Sequence, residues 1–380
     1  MINVGTLTFH SATNYGSVLQ TYALQKYLEI EFGLQSELMN FIPDGQEELY
    51  KLFAPIRSPR NLVGNLLKFQ LYFKYKKRKI AFNKFIEDGI RVSLKSYRSK
   101  NDLADISDIY DMIIVGSDQV WNPDCVDFSP VYLLDGIQVP VKAAYAPSVN
   151  VKKIDDVQWY IDCVNDFDYV SVREATAQRY LIIEGQKKYG TSFPKIEVTI
   201  DPTLLLDRVE YEKIAFPRLI EGDYIFAYSV YNDNEYLKWL QKVAQVSGLP
   251  IVTMITGNNS YKLLKNKAVI FPEDQSPNAF LSGIWHAKYV VTNSFHGTAF
   301  SVIFKKNFYY FGDYEKDERI RMIIDNFSLQ NSCVQEVNKQ YFIQETLYPD
   351  YEGNLKRVRE TSSKYLQEAI AKYERYSLQK

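Results

Sequence analysis

Short apolar runs of three to six residues recur along this chain, each followed by a polar corner and often by a stretch of helical period. Such runs read as buried strands of parallel sheets, covered on both faces. Val4–Phe9, Met112–Val115, Val141–Ala146, Tyr169–Val172 and Ile196–Ile200 form one series. A second begins near Asp223 with Tyr224–Ser229, Ile251–Met254, Val269–Phe271, Tyr289–Thr292 and Phe308–Phe311. Helical period is read over Ser17–Phe32, with Ser17 as N-cap and Val18, Leu19, Tyr22, Leu24, Tyr27 and Leu28 on one broad face. It is read again over Glu235–Val246 before Gly248, over Ala279–His286 and after Gly297. Repeated twice, this alternation predicts an α/β fold of two doubly wound, Rossmann-like halves facing a cleft. The expected domains are residues 1–206 and 223–345. A charged helical segment over 346–380 packs against a domain or crosses back over the hinge. Asp207–Asp223, with Pro217, Gly222 and no clear period, is that hinge. Ligands in such sheets bind beyond the carboxyl ends of strands, so the cleft is the expected site.

The chain's 380 residues suffice for two cores. Its 45 basic and 46 acidic residues nearly cancel, which removes any global electrostatic reason to expect nucleic acid. Three scattered cysteines, Cys125, Cys163 and Cys333, offer no ligand spacing for zinc and fit a reducing compartment. The N-terminus has neither the basic start nor the apolar core of a signal peptide, and no apolar run is long enough to span a bilayer. A cytoplasmic location is therefore expected, with contact at the inner face of the membrane as an option. That option rests on Asn61–Ile90. There Lys68, Lys74, Lys76, Lys77, Arg78, Lys79 and Lys84 interleave with Phe69, Leu71, Tyr72, Phe73, Tyr75, Phe82 and Phe85. A basic, aromatic helix can lie on an anionic membrane surface, or it can be a solvated helix with one buried face.

Tyr289–Ser301 carries the strongest chemical signal. A buried strand runs through Thr292, Asn293, Ser294, Phe295, His296, Gly297 and Thr298 into a helix. Helix-start amides are unpaired and attract anions, and a histidine there can exchange a proton near neutral pH. The structural alternative is a core histidine in an ordinary βα turn. Arg173 follows the strand Tyr169–Val172 and so points toward the cleft. Its fork can hold a carboxylate or phosphate, or pair with Glu174. In the first βα loop, Asn14, Tyr15, Gly16 and Ser17 either contact ligand or form a plain turn, and His10 ends the first strand. After Val115 come Gly116, Ser117, Asp118, Gln119, Trp121 and Asn122. Asp118 can act as base toward a sugar hydroxyl or bond turn amides, and Trp121 can stack on a sugar. Asp201-Pro202-Thr203 reads as a structural turn.

Five segments, Thr8–Gln20, Ile114–Asn122, Ser171–Glu174, Ile200–Leu205 and the His-Gly stretch around His296, stand in an order and spacing that resemble the polysaccharide pyruvyl transferase family. The resemblance covers about Val4 to Phe327. It implies a GT-B-like architecture and transfer of a pyruvyl group from phosphoenolpyruvate to a sugar, with a cyclic ketal formed and phosphate released. It implies no metal and no organic cofactor, phosphoenolpyruvate being a co-substrate. The acceptor it implies belongs to a capsule or exopolysaccharide precursor, such as an undecaprenyl-diphosphate-linked oligosaccharide. That reaction needs an acid that works near neutral pH, which makes His296 the candidate general acid or phosphate contact; by the resemblance Arg173 matches a donor-binding arginine. Relatives tend to read Arg-Leu-His where this chain has Ser294, Phe295 and His296, so one cation is missing. Arg319 or Arg321 is the expected substitute. Two other readings remain open: a nucleotide-sugar-dependent glycosyltransferase on the same architecture, and a glycan-binding protein without chemistry.

Overall fold

A computed structural model of the chain describes residues 4–11, 13–43, 53, 65–66, 68–69, 71–215, 217–230, 234–256, 260–334 and 345–378. The N-terminal half runs β1 (Val4–Leu7), α1 (Tyr15–Phe32), β2 (Ser36–Phe41), α2 (Tyr72–Gly89), β3 (Val92–Tyr97), β4 (Met112–Val115), β5 (Val141–Ala144), α3 (Val157–Asn165), β6 (Tyr169–Val172), α4 (Ala175–Tyr189), β7 (Ile196–Val198) and α5 (Arg208–Glu212). The C-terminal half runs β8 (Ile225–Tyr228), α6 (Asn234–Ser247), β9 (Ile251–Thr253), β10 (Val269–Ile270), α7 (Pro277–His286), β11 (Tyr289–Thr292), α8 (Phe295–Ile303), β12 (Phe308–Phe311), α9 (Glu318–Phe327) and β13 (Cys333–Val334), and α10 (Tyr351–Ser377) follows.

Each half holds one sheet. The first has strand order β3-β2-β1-β4-β5-β6-β7 and the second β10-β9-β8-β11-β12-β13. The ladder pairs are parallel throughout. Every residue of β1, β4, β5, β8 and β11 is buried. That burial matches their apolar sequences, because helices cover both faces of such sheets. In both sheets the strand order reverses beside the first strand, and the crevice above that switch point is where ligands gather.

The halves are joined by more than the linker. One apolar cluster runs from Leu19 and Tyr145 in the first half to Phe280 and Phe300 in the second. The Tyr15 ring stacks on Phe280 at 4.8 Å, and its hydroxyl donates to the Gln275 carbonyl at 2.9 Å. Helix α10 ties both sides. Arg357 holds Asn326 in the second half, while Tyr365 donates to the Ala144 carbonyl and Ile200 N–H donates to Ser362 in the first.

Several expected boundaries move. Helix α1 begins at Tyr15, and its N-cap is Asn14 rather than Ser17, since the Asn14 side chain accepts from Gly16 N–H. Ser17 lies inside the helix. The expected hinge contains α5, and the helix expected after Gly297 starts at Phe295, so His296 and Gly297 lie in its first turn.

Candidate functional site

Asp201 is the hub of the site, at the carboxyl end of the segment that follows β7. Its two oxygens divide the work. Oδ1 accepts from the Thr203 amide at 2.9 Å and the Thr203 hydroxyl at 2.7 Å, which fixes the turn before Pro202–Leu204. Oδ2 faces the cleft, 2.5 Å from Arg173 Nη2, 3.4 Å from Ser117 Oγ and 3.6 Å from His296 Nε2. Asp201 is 1% exposed and Arg173 2%. Burial alone would push the Asp201 carboxyl up. The Arg173 charge, His296 and the Thr203 hydroxyl outweigh it and hold the group well below the usual carboxylate range. The Asp-Pro-Thr turn expected from sequence is present, but it also presents a buried anion to the two groups richest in chemistry.

Arg173 leaves the end of β6 and crosses the cleft. Its guanidinium carbon lies 4.7 Å from the Phe295 ring centroid, a cation–π contact between the halves. It also donates to Ser117 Oγ. It pairs with Asp201 rather than with Glu174, whose buried carboxylate accepts from Val149 N–H and Ser148 instead. Arg173 Nε and His296 Nε2 are buried and have no hydrogen-bond partner among the described residues. Buried polar atoms in that state are uncommon, and two of them beside one carboxylate mark the place.

His296 sits in the first turn of α8 with its ring between two N-terminal elements. A Cβ on Gly16 would lie 2.0 Å from His296 Nδ1, so the ring rests directly on the Gly16 backbone at the start of α1. Only glycine allows this approach. With Nδ1 covered, Nε2 is the nitrogen left facing Asp201. At 3.6 Å that contact is longer than a hydrogen bond.

Asp118 lies close by on the loop after β4. Its backbone has φ 72°, in the left-handed region that costs a non-glycine residue about 1–2 kcal/mol. Its Oδ2 accepts from Ser17 Oγ at 2.5 Å and its Oδ1 from Gln119 N–H at 2.9 Å. Ser117 and Asp118 thus connect the Arg173–Asp201 pair to the start of α1. A small cavity of about 20 Å³ touches Arg173, Asp201, Phe295 and Arg319. Arg319 therefore reaches the same space as Arg173, although its fork lies on Asp317 at 3.1 and 2.9 Å. Arg321 faces Glu318 at 3.8 Å and is more exposed.

The structure places the other candidate residues as follows. Trp121 is 0% exposed, packed against Tyr160 and Phe167, with its indole N–H on the Tyr132 carbonyl at 2.7 Å. It cannot stack on a sugar from there. His10 is buried with Nδ1 3.3 Å from the Thr8 carbonyl and Nε2 3.2 Å from the Asn40 side-chain amide, both within its own half; a neutral ring donates through only one of them. Burial lowers its pKa, so it is a neutral core histidine. Tyr15 is wholly buried between the halves, and burial pushes its hydroxyl up to about 12. Thr298 is buried and donates back to the Ser294 carbonyl. Gly297 packs against Thr292, whose Oγ1 a Cβ would meet at 2.2 Å. Asn122 caps its own turn through Gln119 and Asp124. Ser294, the N-cap residue of α8, takes its own N–H to Thr292 Oγ1.

Sequence reading missed two residues. Asp201 hid behind its turn function. Arg78 was counted with a basic stretch, yet it is 6% exposed, donates to the Thr13 carbonyl and stands over the Tyr15 and Phe82 rings at 5.2 and 5.1 Å. Its spacing with Leu71, Phe82 and Phe85 on one helical face was the available signal. Among the described residues no group of three His, Cys, Asp or Glu side chains could hold a metal ion, and no helix is long and apolar enough to cross a membrane.

Comparison with known proteins adds family and fold. The family model described as polysaccharide pyruvyl transferase matches residues 14–313, most of the chain. No curated protein matches. A UDP-GlcNAc 2-epimerase from Neisseria meningitidis, solved bound to UDP-GlcNAc, superposes with a TM-score of 0.51 at 10% identity, covering 98% of this chain and 100% of that one. The UDP-GlcNAc 2-epimerase from Methanocaldococcus jannaschii gives 0.51 at 12% identity, with 98% and 100% covered. At such identity these likenesses establish the GT-B-type architecture alone.

Proposed function

Since the chain belongs to the polysaccharide pyruvyl transferase family, we propose that it moves the pyruvyl group of phosphoenolpyruvate onto two hydroxyls of a sugar in a lipid-linked polysaccharide precursor, forming a ketal and releasing phosphate. The observation that carries this reading is the meeting of His296 Nε2 and Arg173 at one buried carboxylate, Asp201.

The reaction needs a proton at the methylene carbon, cations for a carboxylate and a phosphate, and a base for a hydroxyl. His296 gives its Nε2 proton to the methylene carbon, which becomes a methyl group and leaves an oxocarbenium-like centre at C2. Arg173, with Arg319 nearby, supplies cations for the donor's anionic groups. Arg319 takes the place of the cation lost at Ser294. A sugar hydroxyl attacks C2 and its proton passes to Asp118. The C2–O bond to phosphate then breaks, its electron pair leaving with the oxygen, and the departing phosphate takes the proton from Asp118, which restores that base. The second hydroxyl closes the ketal, and its proton restores His296. Asp201 is a positioning residue in this scheme: it sets the Arg173 fork and stands beside the working nitrogen of His296. No metal or organic cofactor enters the proposed steps.

Thermal shift combined with phosphate release tests the reading. Phosphoenolpyruvate raises the melting temperature, and phosphate appears only with an acceptor sugar present. Stabilisation by UDP with none by phosphoenolpyruvate would replace it with a nucleotide-sugar glycosyltransferase. Stabilisation by neither, with no phosphate released, would leave a glycan-binding protein.

A further inference from the structure

The outer face of α2 is built unlike the rest of the surface. Phe73 is 70% exposed and Ile80 59%, and just before the helix Leu66 is 65% and Phe69 62% exposed. At 3.6 residues per turn, Phe73 and Ile80 fall together on the side opposite Arg78, Phe82 and Phe85, which are buried. The aromatic rings form a run: Phe69 and Phe53 each stack on Tyr72 at 6.0 Å, and Phe73 meets Tyr72 edge-on at 5.4 Å. Exposed large apolar side chains grouped in this way mark an interaction surface rather than ordinary scatter.

The charges select the partner. From residue 61 to residue 86 the sequence holds seven basic residues and no acidic one. Lys74 and Lys77 reach Glu273 in the other half at 3.4 and 2.9 Å. Among the described residues Lys76, Lys79 and Lys84 meet no carboxylate, and Lys76 and Lys84 lie along the Phe73–Ile80 stripe. Lysine stems beside apolar rings can lie along a hydrocarbon boundary while their ammonium groups stay at headgroup level. An anionic bilayer matches both the rings and the lysines.

We propose that the face formed by Leu66, Phe69, Phe73 and Ile80, with Lys76 and Lys84, docks this protein peripherally on an anionic lipid surface. The opposite face of the same helix carries Arg78 to Thr13 and Tyr15 at the start of α1, so docking holds the cleft beside the membrane. The inference is independent of the transfer chemistry, because vesicle binding is read without substrate.

The test is co-sedimentation of the full chain with phosphatidylcholine vesicles, with and without phosphatidylglycerol, at low and high salt. Phe73→Ser with Ile80→Ser, and Lys76→Gln with Lys84→Gln, are the variants. The wild type binds only the anionic vesicles and loses binding in high salt. Each lysine removed lowers partitioning about fivefold, and the double serine variant lowers it more than tenfold (roughly, from the apolar area withdrawn). Unchanged melting temperatures show that the variants fold. Equal binding by wild type and variants, or no wild-type binding, would overturn the proposal. So would a wild-type dimer in light scattering that the serine variant turns into a monomer.

Discussion

His10 and His296 are each buried beyond the carboxyl end of a central parallel strand, His10 after β1 in the first half and His296 after β11 in the second. They differ in where their nitrogens go. His10 bonds Thr8 and Asn40 within its own half, and burial keeps it neutral. His296 rests Nδ1 on the backbone of the opposite half and leaves Nε2 without a hydrogen bond, 3.6 Å from an ionised Asp201. A histidine whose nitrogens both face partners within its own half stabilises a fold. One with an unspent nitrogen beside a buried charge is equipped for a proton. The difference arises because His296 faces residues from the other half, which no packing within its own half can satisfy.

The largest effect that would break this contrast is loss of the charge pair. Arg173→Ala strands the buried Asp201 carboxylate, and about 3–5 kcal/mol of stability is expected to go with it in urea unfolding. Phosphoenolpyruvate then gives no thermal shift. Gly16→Ala comes next. Its Cβ must displace the His296 ring, so acceptor-dependent phosphate release falls about a hundredfold for a misplacement of roughly 1 Å. Arg319→Ala is milder, about tenfold in donor affinity by titration, as expected for one charge-assisted contact of about 1.4 kcal/mol. No change there would remove Arg319 from the site.

The smallest effect sharpens the other side. The folded-state pKa of His10 is depressed, so below about pH 6.5 the unfolded chain binds a proton that the folded chain refuses. Its contribution is therefore full above that pH and is lost as pH falls from there toward the folded value. His10→Gln should flatten the slope of melting temperature against pH between about 5 and 7. Persistence of the same slope would show that other groups cause it.

How much of this was legible in the sequence follows from which interactions are local. The strands of Met112–Val115 and Tyr289–Thr292 announce themselves because a strand buried on both faces must be apolar throughout. Ser36–Phe41 and Val92–Tyr97 did not, because they lie toward the sheet edge and carry polar residues; Leu94 is fully exposed. His296 and Arg173 were visible as chemistry-bearing residues at strand ends. Trp121 reads as a sugar platform and Tyr15 as a loop residue that can contact ligand, but an aromatic side chain serves a core equally well, and burial decides. Asp201 was read only as a turn residue because that role is local and the second one is not. Its partners Arg173 and His296 come from distant segments that only the fold brings together.

The most direct test of the contrast is acceptor-dependent phosphate release from phosphoenolpyruvate by His296→Gln and His10→Gln, measured side by side with the wild type. The account predicts a loss of about 10²–10⁴-fold for His296→Gln, the range of a general acid removed, and activity within a few-fold of wild type for His10→Gln. Equal losses in the two variants, or full activity without His296, would contradict it.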